Sequence, residues 1–319
     1  MFELNVKDNY SDCNKVNKNE VSFKKFEEED DNKGKRKNSK KSKNKNYNGK
    51  LKDEFLKKFD ENEYLGNKNK ILGDDEYNSE NINFKTALSY FSSLEYKEEQ
   101  ELIDQEKKNN QVKKSFLRKL CDCFYNRLPQ NIKTEKNLIC CITKVSYDDS
   151  INIHYSILST IYMFFTEEKE CPKSGNHWEK IGFQTKTPQS DLRSVGMLAP
   201  LQMLYFLCAY PAFSSSVYKL FSSKNCEWLF AVTLINVTQI CYVLLKDDFL
   251  DQFFKKSGEV VSVFNELYVG IIYNLNQYLE ENKQNLTAEY VGECLDKIRK
   301  HSSSSSEIDS ILWNTKKVN

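Results

Sequence analysis

The sequence predicts an all-α fold: one helical domain behind a long polar tail. Three observations lead there. Apolar residues recur three and four positions apart from Phe84 to about His301, most cleanly over Val260–Glu281, where Val261, Phe264, Leu267, Ile271, Ile272, Leu275 and Leu279 form a stripe. Helix start signals, Ser150 and Ser190-Asp191, stand just before apolar-periodic runs. The first eighty residues are Lys, Asn, Asp and Glu with few aliphatics, so they bury too little apolar surface to offset the entropy of ordering. Residues 1–80 are therefore expected to be a disordered tail, 84–301 a single folded unit, and 302–319, opened by five serines, a second disordered tail.

Within the first tail, Lys33 to Lys52 holds ten basic residues and no acidic one. Such a run fits a nuclear-localisation-like patch, an anionic membrane surface or an RNA-attracting segment, and composition reads it first as a solvated low-complexity insert. Leu51 to Leu65 shows helical spacing through Phe55, Leu56, Phe59 and Leu65. Folding is expected to begin near Phe84, with Ala87, Leu88, Tyr90, Phe91 and Leu94 on one side. The charged stretch Lys97 to Lys114 makes the next part either two helices or one long helix with a solvated centre, ended by Pro129. Leu138 to Tyr147 is short and β-branched, and fits strand or helix. Ser150 is expected to cap a helix running to Thr166 that carries His154 as a structural histidine, since no second ligand sits three or four residues on. Helices are expected to follow over the apolar run after Asp191, from Pro211, over Trp228 to Lys246, over Val260 to Glu281, and finally over Asn285 to His301.

Two windows, Ser194 to Tyr218 and Trp228 to Leu245, contain no charged side chain. Pro200, Gln202 and Pro211 in one, and Asn236, Thr238 and Gln239 in the other, favour buried central helices of a bundle over membrane spans. A net charge of +1 argues against nucleic acid as a partner. The ten cysteines lack metal-ligand spacing, and only three histidines exist, so no metal site is expected. With no apolar leader at the start, a reducing, cytoplasmic setting is expected, with the chain able to sit peripherally on membranes. There is no phosphate loop, no dinucleotide fingerprint, no G-x-S-x-G and no H-E-x-x-H, so neither a bound cofactor nor a self-contained hydrolase is expected.

The stretch with chemical character is 177–206, HWEKIGFQTKTPQSDLRSVGMLAPLQMLYF. Arg193 is the sole cation from Leu192 to Tyr218. Ser190-Asp191 places it in the first turn of a helix whose later turns carry Met197, Leu198, Leu201, Leu204, Tyr205 and Phe206 inward. The order Trp178, Gly182-Phe183-Gln184, Pro188, Asp191, Arg193, Gly196 and Leu201 resembles the signature of the ELMO domain, closest to the ELMO domain-containing subfamily, over about residues 115–300. Leu192 stands for a Phe of that pattern, Ser190 for a Thr, Ser194 for the Gly after the Arg, and Ala199-Pro200 for a Gly-Leu.

The resemblance implies an ELMO-type helical domain that activates GTP hydrolysis by a GTP-bound Arf or Arf-like GTPase, and it implies that Arg193 is the arginine finger. GTP and Mg²⁺ would belong to that partner. A guanidinium suits the role because it stays protonated and presents a planar fork to two phosphate oxygens. Asp191 would cap the helix and hold Arg193 through a hydrogen bond. Gln184 would meet the partner's switch loop or its attacking water. Trp178 and Phe183 would floor the site, Gly182 and Pro188 would fix the loop, and Gly196 belongs to the fold signature. The alternative is an interaction module without GTPase-activating activity, of the kind that works with DOCK-type exchange factors on Rac.

Overall fold

The computed structural model describes residues 81–111 and 128–318, apart from 224, 225, 227 and 303. The predicted tail 1–80, its basic run 33–52, the helical spacing of 51–65 and the apolar set Phe116–Phe124 all lie outside the described residues. Twelve α-helices occur among the described residues: α1 Phe84–Ser93, α2 Lys97–Gln111, α3 Gln130–Ile142, α4 Asn152–Thr166, α5 Gln189–Leu192, α6 Leu198–Ala209, α7 Pro211–Phe221, α8 Phe230–Lys246, α9 Asp251–Ser257, α10 Val260–Glu281, α11 Ala288–His301 and α12 Ser305–Asn314. Two 3-10 turns, Asn176–Ile181 and Thr315–Lys317, complete the order. The chain is all-α, with a single isolated bridge, Cys226 to Leu286, among the described residues.

The centre is built by α6 and α10. Ten of the twelve α6 residues, Leu198 through Leu207, are buried. A helix buried all round needs neighbours all round, and α6 touches α1, α4, α7, α8 and α10. The stripe read over 260–281 is the face α10 turns to α3, α8, α11 and α12. Polar groups join the two central helices. Tyr205 and Tyr210 both donate to the Glu266 carboxylate, at 2.6 Å and 2.8 Å, and Gln202 Nε2 donates to Asn265 Oδ1 at 3.5 Å. Buried polar groups need partners, and these find theirs across the α6–α10 seam. No described helix is by itself long and apolar enough to cross a membrane; α8 and α9 pass that test only as a pair bent by 85°.

Several boundaries differ from expectation. Leu138 to Ile142 is helical, as the last turn of α3, and the chain then leaves the helix at Thr143. Pro129 starts α3. Ser150 does not cap α4: both its N–H and its hydroxyl bond to Asp148 Oδ1, at 2.8 Å and 2.7 Å. An Asx-type turn has taken the side chain that the helix start would have used. The run after Asp191 is not one helix. It splits into the single turn α5 and the long α6, with Arg193 past the end of α5. Pro200 falls in the first turn of α6, where a missing N–H has no cost.

The second disordered tail is also a correction. Thr287 caps α11, and the chain continues beyond it. Ser302 closes α11 by donating to Ile298 O at 2.8 Å, and Ser304 caps α12 by accepting from Glu307 N at 3.4 Å. Ile308 and Ile311 are then buried against the core. Serines that look like a low-complexity ending are two caps, back to back.

His154 is structural, as read. It is 1% exposed, stacks on Phe91 at 5.8 Å and on Tyr147 at 6.4 Å, and its Nδ1 accepts from Asp148 N at 3.3 Å. Burial pushes the imidazole down to about 4, against the nearby Asp148 charge. The folded form therefore stays neutral where the unfolded chain takes up a proton. Stability from this group is present above about pH 6.5 and is lost as pH falls toward 4. Urea titrations should show about 2 kcal/mol of it gone at pH 5 relative to pH 7.5, and His154→Gln should remove that part of the slope. Ile308→Ala should cost about 2–4 kcal/mol in the same titration. No loss would mean that α12 does not pack.

Candidate functional site

The motif region is a loop held at both ends by glycine. After the 3-10 turn, Gly182 takes φ +84° and its N–H returns to Glu179 O. Side chains do not cap the start of α8; Gly182 O accepts from Val232 N at 3.4 Å instead. The fit is close: a Cβ on Gly182 would lie 2.4 Å from Phe230 N. At the other end Gly196 takes φ +51°, and a Cβ there would lie 2.4 Å from Val145 O and 2.7 Å from Thr143 O. Its neighbour Met197 donates to Val145 O at 2.9 Å, filling an acceptor left where α3 ends. Only a residue without a side chain permits either approach.

Trp178 lies beneath this loop. It is fully buried, donates through Nε1 to Lys173 O at 3.3 Å, and meets Phe183 and Tyr162 edge-on at 5.8 Å and 5.6 Å. Phe183 is 1% exposed. Both rings floor the loop from the core side and have no face toward solvent. Glu168 accepts from Tyr162 and, at 2.5 Å, from Lys180 Nζ, which fastens the approach to the 3-10 turn onto α4.

Between the two glycines the loop closes on itself. Asp191 Oδ2 accepts from Gln184 N at 2.7 Å. Thr185 Oγ1 lies 2.8 Å from Ser190 Oγ and donates to Thr187 O at 2.6 Å. Lys186 O accepts from Gly175 N at 3.0 Å. Pro188 is buried, and its carbonyl accepts from Asp191 N and Leu192 N to form α5. Gln184, Thr185, Lys186, Thr187, Gln189, Arg193 and Ser194 remain exposed.

Asp191 thus does something other than expected. It sits inside the single turn α5, and its carboxylate closes the loop by accepting from the Gln184 amide. Arg193 donates no hydrogen bond to it and forms no ion pair within 4 Å among the described residues; the two charges interact only through space. Burial pushes the Asp191 carboxyl above its ordinary value, with the Gln184 N–H and the Arg193 charge pulling the other way. Leu192 is buried, so its exchange for the Phe of the pattern is a change in the core. Ser194 is exposed beside Arg193.

The chain that carries this loop matches the ELMO/CED-12 family over residues 137–291. That segment is an ELMO-type domain, of the ELMO domain-containing kind. The chain is 27% identical over 199 residues to ELMO domain-containing protein 3 of Mus musculus, covering 61% of this chain and 51% of that one. It is 25% identical over 148 residues to ELMO domain-containing protein B of Dictyostelium discoideum, covering 46% and 52%. With ELMO domain-containing protein 2 of Mus musculus it shares 23% over 150 residues, covering 46% and 51%. The chain spans about half the length of these curated relatives. No solved structure matches it.

The geometry makes a sharp statement about the two glycines. Gly182→Ala and Gly196→Ala combine a strained φ with a backbone clash, and each should cost about 2 kcal/mol or more. Melting and urea titration should show both losses, whereas Lys186→Ala, on the exposed stretch between them, should stay within about 0.5 kcal/mol.

Proposed function

We propose that this chain is a GTPase-activating protein for an Arf-family or Arf-like GTPase in its GTP-bound form, with Arg193 supplied to the partner's phosphate site. The observation that carries the proposal is the state of Arg193. It is exposed on a loop pinned at both ends, and among the described residues it makes no hydrogen bond or ion pair. A guanidinium engaged within its own fold would have to be released before it could reach a phosphate. This one needs no release, and its loop has little freedom to lose on binding. The family adds the chemistry, since the resemblance of the Trp178–Gly196 pattern implies an arginine finger at this position.

In this mechanism the chain contributes one group and the partner contributes the rest. Charge develops on the γ-phosphate oxygens and on the bridge to the leaving group, and the Arg193 fork stabilises it. Such a group accelerates hydrolysis by roughly 10³ to 10⁵, or about 4–7 kcal/mol. Gln184 stands on the same exposed stretch and meets the partner's switch region or its water. Asp191 acts through the backbone: by holding the Gln184 amide it fixes the loop that presents both side chains. Ser194 is the observation that favours the second reading, an interaction module without activity. A side chain stands there where the family pattern has glycine, and it narrows the approach of a partner's backbone to Arg193.

Single-turnover hydrolysis by a panel of GTP-loaded Arf-like proteins separates the two. The native chain should accelerate at least one of them. Arg193→Ala should remove about 10³ or more of that acceleration, and Arg193→Lys most of it, with no change in melting temperature because the side chain is exposed. Acceleration that survives in the alanine form would assign the chemistry to another residue. No acceleration across the panel would leave the interaction module.

A further inference from the structure

We infer that the outward line of α8, made of Val232, Asn236, Gln239 and Val243, is the surface on which the GTP-bound GTPase docks when Arg193 reaches its phosphate. The inference rests on the function proposed above and adds where that partner is held. From Phe230 to Leu245 every residue except these four is buried, and these four are half-buried. Their spacing of four, three and four puts them on one face, along a line about 17 Å long. An outward helix face is ordinarily charged or polar. α11 follows that rule, turning Glu289, Glu293, Asp296 and Lys300 outward. The α8 line has two valines, two amides and no charge, in a chain that is 29% charged. Charged residues are depleted at the core of a protein interface, and this line has that makeup.

This line and the Arg193 loop run side by side. The first anchor of the loop is at the start of α8, where Gly182 O accepts from Val232 N. The second, Gly196, lies against the carbonyls of Ile142, Thr143 and Val145, where α3 ends. That end of α3 is beside the far end of α8: Lys144 and Lys246 both pair with Glu106, and Thr143 neighbours Tyr242. The loop therefore travels from one end of the α8 line to the other, and α5, between the two anchors, packs on α8. Arg193 follows α5 directly. A stable protein interface takes about 800 Å² from each partner, equal to a disc of about 16 Å radius. A footprint of that size centred on Arg193 covers the neighbouring α8 line. The GTPase surface that meets it is specified by chemistry: it adjoins the γ-phosphate, and it is apolar or amide-bearing rather than charged.

The test reads binding and single-turnover hydrolysis separately, with the full chain and the same panel of Arf-like proteins, loaded with a slowly hydrolysed GTP analogue for binding. Asn236→Asp with Gln239→Glu adds two carboxylates without adding volume. It should weaken binding about tenfold or more and raise the chain concentration for half-maximal acceleration to match, with the maximal rate within about threefold. Arg193→Ala should do the reverse, keeping binding within about threefold and losing the maximal rate. Ser310→Glu, exposed on α12, should change neither. A double variant that binds and accelerates like the native chain would overturn the docking line and leave the proposed function standing. Binding without acceleration, abolished in the double variant, would uphold the docking line and remove the finger. Neither binding nor acceleration across the panel would overturn both. A photo-crosslinking phenylalanine analogue at position 239, in the otherwise native chain, supplies a reading that does not depend on how the double variant folds. It should crosslink to the GTP-loaded protein and not to its GDP form. No crosslink to a GTP-loaded protein that binds would also overturn the docking line.

Discussion

Two missing carbon atoms organise the motif. At Gly182 the chain lies against the opening turn of α8, and at Gly196 it lies against the carbonyls that end α3. Neither contact leaves room for a Cβ, and both backbones are in the left-handed region. The consequences reach well beyond local geometry. One free amide of α8 and a free carbonyl after α3 are satisfied by the loop itself, so the loop belongs to the hydrogen-bonding of the bundle. What stands between the two contacts has its ends fixed before any side chain acts.

On that frame the motif residues sort by what they touch. Trp178, Phe183 and Leu192 hold the loop from below as core. Asp191 holds it from within by accepting from Gln184 N, and Pro188 turns it. Gln184, Arg193 and Ser194 face outward. A pattern that reads as one signature in the sequence is therefore three jobs in space. Most of its letters are structural, and few are free to meet a partner.

Much of the fold was legible because helical burial writes a period into the sequence. The stripe over 260–281 and the start at Pro211 follow from spacing and from proline chemistry; around residue 95 spacing left one helix or two open, and the structure has two, α1 and α2. The errors share a cause. Ser150, Asp191 and the serines after His301 are residues whose oxygen bonds either to a helix start or to a nearby turn. Ser150 went to Asp148, Asp191 went to Gln184, and Ser302 and Ser304 made two caps where an ending was expected. Polar side chains of this type carry the signal of a turn without its address. The Tyr205–Glu266–Tyr210 clasp was invisible for a related reason, since its partners lie more than fifty residues apart.

By itself the sequence determined that this chain is helical, that α6 and α8 would be interior, and that Arg193 would be the one cation from Leu192 to Tyr218. Periodicity and charge are local properties, and a linear string carries them intact. Only the tertiary structure decided that the run after Asp191 breaks at Gly196, because the break comes from the backbone of α3 pressing where a side chain would be. Only it decided that Arg193 is exposed. Exposure depends on what neighbouring elements fail to cover, and no spacing rule records that.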